Sequence, residues 1–129
     1  MRLNTTVGHA LLAIGYIAKH EGEGIISSDS IAKEYNIPWE YLLKTMRQLV
    51  RANVLRSKRG PGGGFSLARS PNKITMLQVI EAVDGPIQRQ FGLSELAKGK
   101  FSVKAEQACA KAANQAKSVF QKTKISDLL

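Results

Sequence analysis

The fold is decided by residues 36–69, which read NIPWEYLLKTMRQLVRANVLRSKRGPGGGFSLAR. Pro38 ends one helix and suits the first position of the next, which we predict to run from 38 to 52. Its apolar residues are spaced i, i+4, i+7 and i+8 and form one helix face: Leu42, Met46, Leu49 and Val50. Its opposite face carries mainly basic residues: Glu40, Lys44, Arg47 and Arg51. The helix should therefore bury one side and present the other to a partner.

A shorter helix is predicted just upstream, over about 29–35, capped by Ser27 or Ser28. A further helix over 5–19 has apolar residues at helical spacing, with Thr5 or Thr6 as its candidate cap. A short helix, a tight turn and a longer helix with a basic outer face are typical of a helix-turn-helix.

Two short alternating runs, 54–59 and 65–68, flank a Gly/Pro loop and predict a β-hairpin. The loop leaves backbone amides bare, so it can lie against a phosphate or a groove floor: Gly60, Gly62, Gly63 and Gly64. It is no nucleotide-binding loop, because no Lys-Ser/Thr follows it and no helix begins there. A basic hairpin after a helix-turn-helix is typical of a wing. The predicted fold is mainly α, with a two-stranded wing and a long C-terminal helix.

The charge of the chain is concentrated. Its 129 residues hold 19 Lys and Arg against 10 Asp and Glu, a net charge of +9. No acidic residue lies between Tyr41 and Ile80, a stretch with eight basic residues: Lys44, Arg47, Arg51, Arg56, Lys58, Arg59, Arg69 and Lys73. A merely solvated surface would mix signs along a helix. The pattern favours a polyanionic partner, either nucleic acid or an anionic membrane face.

The C-terminal half continues the helical pattern. We divide the chain at residue 70 into a winged unit, 1–70, and a second part, 71–129, within one compact domain. The second part holds a linker and short helix over 71–86, a loop with a possible helical turn over 87–99, and a long helix over about 102–123.

A stripe of apolar residues runs along the long helix: Phe101, Ala105, Ala108, Cys109, Ala112, Ala116, Val119 and Phe120. Small residues allow close helix packing, and periodicity leaves open whether the stripe packs on its own domain or on a partner.

Several of these motifs together resemble the Rrf2 family of bacterial winged helix-turn-helix transcription regulators. The resemblance covers essentially the whole chain. It rests most specifically on Arg59 to Arg69, RGPGGGFSLAR, and also on Ile37-Pro38, Tyr41-Leu42, residues 79–86 and residues 125–128. The resemblance implies a homodimer that binds a palindromic operator in double-stranded DNA, with the long helices pairing the subunits.

One departure concerns cofactors. Many members of that family carry three cysteines between the wing and the long helix and bind an iron–sulfur cluster there, but residues 87–104 contain none. The one cysteine, Cys109, suits a small buried thiol on the inward stripe, and a single soft ligand cannot hold a cluster in the usual way. His9 and His20 are too few to replace the missing ligands. We therefore expect no cofactor and no metal.

These observations predict a sequence-specific regulator, most simply a repressor, whose 38–52 helix enters the major groove. Lys44, Arg47 and Arg51 are expected at phosphates, and Arg59 in a narrow minor groove. Glu40 either accepts a hydrogen bond from a base or is a favourable first-turn acid. The full set of expected DNA contacts is Ser28, Pro38, Glu40, Tyr41, Lys44, Arg47, Arg51, Arg56, Lys58, Arg59, Gly60, Gly62, Gly63, Gly64 and Arg69.

The sequence is also compatible with other functions. The chain could bind nucleic acid without sequence preference, or it could sense a signal through Cys109, a small ligand or a partner protein. An enzyme is not expected, because no paired carboxylates and no Cys/His arrangement are visible. No apolar run is long enough to span a membrane, and the first residues lack the order of a signal peptide, so a cytoplasmic protein is expected.

Overall fold

The computed structural model describes residues 3–87 and 92–129. This part of the chain contains six α-helices, two strands and three short 3₁₀ helices, the latter at Glu21–Glu23, Pro71–Lys73 and Ile125–Leu128. The helices are α1 (Thr5–Lys19), α2 (Ser28–Tyr35), α3 (Trp39–Arg51), α4 (Met76–Asp84), α5 (Leu93–Leu96) and α6 (Lys100–Lys122), and the strands are β1 (Leu55–Lys58) and β2 (Gly64–Leu67). The chain has the mainly helical winged architecture that the sequence predicts.

Helix α1 forms the centre of the core and is capped by Asn4, not by Thr5 or Thr6. The Asn4 side chain lies one residue ahead of the helix in an extended conformation and accepts a hydrogen bond from the amide of Val7 at 3.0 Å. Its Nδ2 donates to Oδ1 of Asp84 at 2.9 Å, which joins the start of α1 to the end of α4. The apolar face of α1 is buried: Val7, Ala10, Ala13, Ile14, Ile17 and Ala18.

Helices α2 and α3 form the predicted helix-turn-helix. Ser27 caps α2 by accepting from the amide of Ser30 at 3.2 Å, and Asn36 ends α2 in a left-handed conformation with φ 52°. Pro38 is the N-cap of α3 and not its first helical residue. Leu42, Met46 and Leu49 are buried as predicted, along with Thr45, which donates to the Tyr41 carbonyl. Val50 is only half-buried, because it lies at the edge of this face.

The wing is an antiparallel ribbon in which Leu55 pairs with Leu67 and Lys58 with Gly64. Strand β1 is two residues shorter than predicted, with Arg59 in the turn beyond it, and β2 has the predicted length but begins and ends one residue earlier. Ile26, in the segment ahead of α2, pairs with Phe65 of β2. The base of the wing is therefore fixed to the start of the helix-turn-helix.

One core spans the boundary predicted at residue 70. Helix α4 begins with a capping box between Thr75 and Gln78 and packs on α1 and α3. Ile74, Val79 and Ile125 belong to the same buried cluster as the residues of α1 and α3. The chain after α6 returns to this core, because the Met76 amide donates to the Thr123 carbonyl at 2.8 Å and the Ile125 amide to the Ile74 carbonyl at 2.9 Å.

Helix α6 begins two residues earlier than predicted and has no buried residue within this chain. The predicted stripe divides into two faces. Ala105, Cys109, Ala116 and Phe120 are half-buried on the side that packs against α4 and α5, whereas Phe101, Ala108, Ala112 and Val119 are exposed. Cys109 is thus half-buried, not buried as expected.

Part of the predicted loop over 87–99 lies outside the described residues, and its helical turn is α5. No helix within 3–87 and 92–129 is both long and apolar enough to cross a membrane.

Candidate nucleic-acid interface

The outer face of α3 is free for a partner. Its core-facing side packs on α1, α2 and α4, which leaves Glu40, Lys44, Arg47 and Arg51 exposed on the opposite side. Tyr41 is also exposed, at 67%. None of these four charged side chains has a hydrogen bond or ion pair with a residue of 3–87 or 92–129, so no described neighbour neutralises their charges.

A groove of about 760 Å³ lies between α3 and the wing. Its lining combines apolar side chains, Leu43, Val50 and Phe65, with basic ones from both sides: Arg47, Arg51, Lys58 and Arg59. Ser28 and Asp29 of α2 and Trp39 of α3 also line it. Cations of the helix and cations of the hairpin, predicted separately, therefore border a single concave surface.

At two positions of the wing the backbone geometry leaves no room for a side chain larger than that of glycine. The Gly63 amide donates to the Gly60 carbonyl at 2.9 Å and closes a tight turn, and a Cβ on Gly63 would collide with the Lys58 carbonyl. A Cβ on Gly64 would collide with the Ile26 carbonyl, because the two backbones pair there. The turn itself therefore requires glycine at these two positions.

Several predicted contact residues lie outside the groove. Pro38, Glu40, Tyr41 and Lys44 lie at the start and outer face of α3. Arg56 is exposed on β1, in the strand position two residues before Lys58. These positions belong to a wider exposed surface next to the groove.

Arg69 differs from the other predicted cations. It is half-buried, and its Nη2 donates to Oε1 of Gln78 at 3.3 Å. Gln78 also belongs to the capping box of α4. Arg69 is thus tied to the start of α4, which gives it a structural role beside the predicted one.

Trp39 is the main site residue absent from the predicted set. Its Nε1–H donates to Oγ of Ser28 at 3.0 Å, across eleven residues of sequence. A signal for it existed, because Trp39, Leu43, Arg47 and Val50 follow at helical spacing and form one side of the groove. The bond to Ser28 could not be foreseen, because it depends on the angle between α2 and α3.

A helix-turn-helix followed by a basic wing, with the outer faces of both free, defines a winged-helix protein of the DNA-binding type. The profile of the Rrf2 family, described as an iron-dependent transcriptional regulator, matches residues 3–129, and the chain belongs to this family. It is therefore a member of a family of winged helix-turn-helix transcriptional regulators.

Individual relatives agree with this assignment. The chain is 41% identical over 81 residues to a protein of Aquifex aeolicus named as a candidate HTH-type transcriptional regulator, which covers 63% of this chain and 56% of that protein. The first curated relatives are longer, and the matches span 51% to 61% of their length.

Solved structures match over nearly the whole chain. CymR (YrzC), the global cysteine regulator of B. subtilis, superposes with a TM-score of 0.83 at 29% identity and covers 99% of this chain and 95% of its own. IscR of T. potens gives a TM-score of 0.80 at 26% identity, over 99% of this chain and 85% of that one. The architecture is therefore shared along the full described length.

The iron dependence in the family description can be tested against the side chains present here. An iron–sulfur cluster is held mainly by cysteine thiolates, with histidine as a common substitute. The sequence has one cysteine, which lies in the middle of α6. Within 3–87 and 92–129, no group of three or more His, Cys, Asp or Glu residues could hold a metal ion. The residues present therefore do not fit a cluster.

Proposed function

We propose that this protein is a sequence-specific regulator that binds double-stranded DNA as a homodimer and acts as a repressor. The observation that carries the proposal is the groove between α3 and the wing, because unpaired cations from both elements border it. A DNA strand whose phosphates face these cations would have α3 on its major-groove side and the wing on its minor-groove side.

The roles of the residues follow from this placement. The first turn of α3 presents Glu40 and Tyr41 to base edges in the major groove. Arg47, Arg51 and Lys58 lie at the phosphates of the strand between helix and wing. Arg59, at the exposed tip, enters the neighbouring minor groove, where narrow A·T-rich steps attract a guanidinium.

The homodimer is supported by α6. None of the 23 residues of α6 is buried within this chain, so the helix leaves apolar surface for a partner to cover. Exposed apolar side chains lie along it, with Phe101 86% and Val119 61% exposed. On the exposed side of the helix, four apolar residues recur at spacings of seven, four and seven, which fits the heptad of paired helices: Phe101, Ala108, Ala112 and Val119.

The proposal is tested by selecting genomic DNA fragments with the purified protein, at near-physiological salt and with excess non-specific competitor. We expect a few fragments that share an inverted repeat with half-sites about one helical turn apart. Recovery of fragments without a shared sequence would contradict the proposal. It would favour a general nucleic-acid binder, whose affinity should fall steeply with modest salt.

We also propose that the regulatory signal does not come through an iron–sulfur cluster, because the ligand set is lacking. Protein purified without oxygen should be colourless and should bind the selected duplex equally well before and after iron chelation. A brown protein with a visible charge-transfer band would contradict this part of the proposal.

A further inference from the structure

Trp39 and Ser28 join the two helices of the helix-turn-helix at their first residues. The indole Nε1–H donates to the Ser28 hydroxyl oxygen at 3.0 Å. The N-cap of α3, Pro38, provides no side-chain hydrogen bond to its first turn. The indole bond is thus a polar link between the starts of α2 and α3, and both residues line the groove.

The bond leaves Ser28 with an unused donor. A serine hydroxyl has one hydrogen to donate and two lone pairs to accept with. The Trp39 N–H occupies a lone pair, and no acceptor among the described residues receives the Ser28 hydrogen. The hydroxyl is therefore oriented by the indole and still has its hydrogen to donate, and it lines the same groove as Arg47 and Arg51.

We propose that Trp39 is a positioning residue for DNA binding: its indole N–H orients the Ser28 hydroxyl, which donates a hydrogen bond to a phosphate of the strand lying in the groove. This rests on the proposed function, since the strand is the one placed between α3 and the wing. Trp39 acts through Ser28 and not by reading a base.

The link is better suited to binding than to stability. Trp39 is 47% exposed, and Ser28 is half-buried, so the pair lies at the surface and outside the buried core. A hydrogen bond at such a site contributes little to folding, because water replaces it when it is lost. A hydrogen bond to a charged phosphate is stronger than one between neutral groups, so its loss should be visible in DNA affinity.

The test compares Trp39→Phe, Ser28→Ala and the double variant on the inverted-repeat duplex recovered by selection. Ser28→Ala removes the phosphate donor and should weaken binding about tenfold. Trp39→Phe keeps an aromatic ring but loses the N–H, and should weaken binding about threefold. The double variant should bind like Ser28→Ala, since without the hydroxyl there is nothing to orient. Ser118→Ala, a serine of α6, is the matched control.

Two readouts separate positioning from a general structural effect. The slope of log affinity against log salt should stay as in the wild type, because neither substitution removes a cation. Since Trp39 is the only tryptophan, its fluorescence reports on this site directly, and the duplex should protect it from acrylamide quenching. Additive losses in the double variant, wild-type affinity in either single variant, or unprotected fluorescence would overturn the inference. If the wild type selects no shared sequence, the proposed function fails instead.

Discussion

Ile26 and Phe65 exchange two backbone hydrogen bonds, 2.9 Å from the Ile26 amide to the Phe65 carbonyl and 2.7 Å in the reverse direction. Ile26 lies directly before the cap of α2, and Phe65 lies in β2 with its side chain buried. The position of the wing is therefore not fixed by its connection to α3 alone. Its second strand is paired with the segment that leads into the helix-turn-helix, so the wing and α2 hold a fixed relative position.

Gly64 is the position at which this pairing is most easily disturbed. Its φ is 154°, and a Cβ would collide with the Ile26 carbonyl. We expect Gly64→Ala to lower the free energy of unfolding by about 2 kcal/mol, because the backbone conformation is strained for alanine and the two segments must separate. Urea denaturation followed by circular dichroism measures this.

Gly8→Ala is the matched control for that substitution. A Cβ on Gly8, inside α1, would meet nothing within 4 Å. Alanine favours a helix interior, so this variant should gain about 0.5–1 kcal/mol. Equal stabilities of the two variants would contradict the account of the wing.

Arg59 tests the position of the wing on DNA. Arg59→Ala should weaken binding to the selected duplex about tenfold and reduce the salt slope by about 0.9, since one cation leaves the polyanion. Fluorescence anisotropy over a range of salt concentrations measures both quantities. Lys98→Ala, in the exposed loop between α5 and α6, should leave both close to the wild type. Unchanged affinity and slope for Arg59→Ala would mean that the wing does not reach the DNA.

Glu40 tests sequence reading by α3. The side chain is exposed and has no partner among the described residues, so no neighbouring cation compensates its negative charge on the face that the proposed function assigns to DNA. If it accepts a hydrogen bond from a cytosine amino group, Glu40→Ala should relax discrimination at one base pair of each half-site by about 1–3 kcal/mol. Binding to a panel of single-base operator variants measures the discrimination. A uniform change in affinity for all duplexes would show that Glu40 does not read a base.

The exposed face of α6 tests the dimer. Ala112→Glu places a charge on the exposed apolar side of α6, and it should convert the dimer to a monomer and weaken operator binding at least 100-fold, because burial of an unpaired carboxylate opposes pairing. Light scattering during size-exclusion chromatography measures the mass. Gln121→Glu adds the same charge on the opposite exposed side of the helix and should remain dimeric. A wild-type monomer, or a dimeric Ala112→Glu variant, would rule out this interface.

The helix-turn-helix could be predicted from spacing because its information is local. The apolar residues of α3 repeat at helical intervals, and Ser27 is a suitable cap, so the element follows from neighbouring residues. The cap of α1 depends on a distant contact as well as on neighbouring residues. Asn4, Thr5 and Thr6 are all able to cap, and the position of Asn4 is settled by its second bond, to Asp84, eighty residues away.

The stripe on α6 shows that residue spacing alone does not predict which of its residues pack against the same domain. Ala105 and Ala108 both lie in a series with spacings of three and four, yet one is half-buried against the domain and the other is exposed. A stripe wider than about 100° includes two faces, and the sequence does not state where the neighbouring helix lies. The bond between Trp39 and Ser28 is hidden for the same reason, because it joins two elements across space.

The end of α6 is connected rigidly to the winged unit. Thr123 and Ile125, directly after the helix, pair with Met76 and Ile74 at the start of α4. These bonds fix the direction of α6 relative to its own winged unit. In a dimer, the angle at which the two α6 helices cross would therefore set the distance between the two α3 helices. The spacing of the two half-sites in the operator would then be determined by the geometry of the α6 pair. One residue inserted after Lys122 would turn each α6 by about 100° relative to the helix-turn-helix of the same subunit.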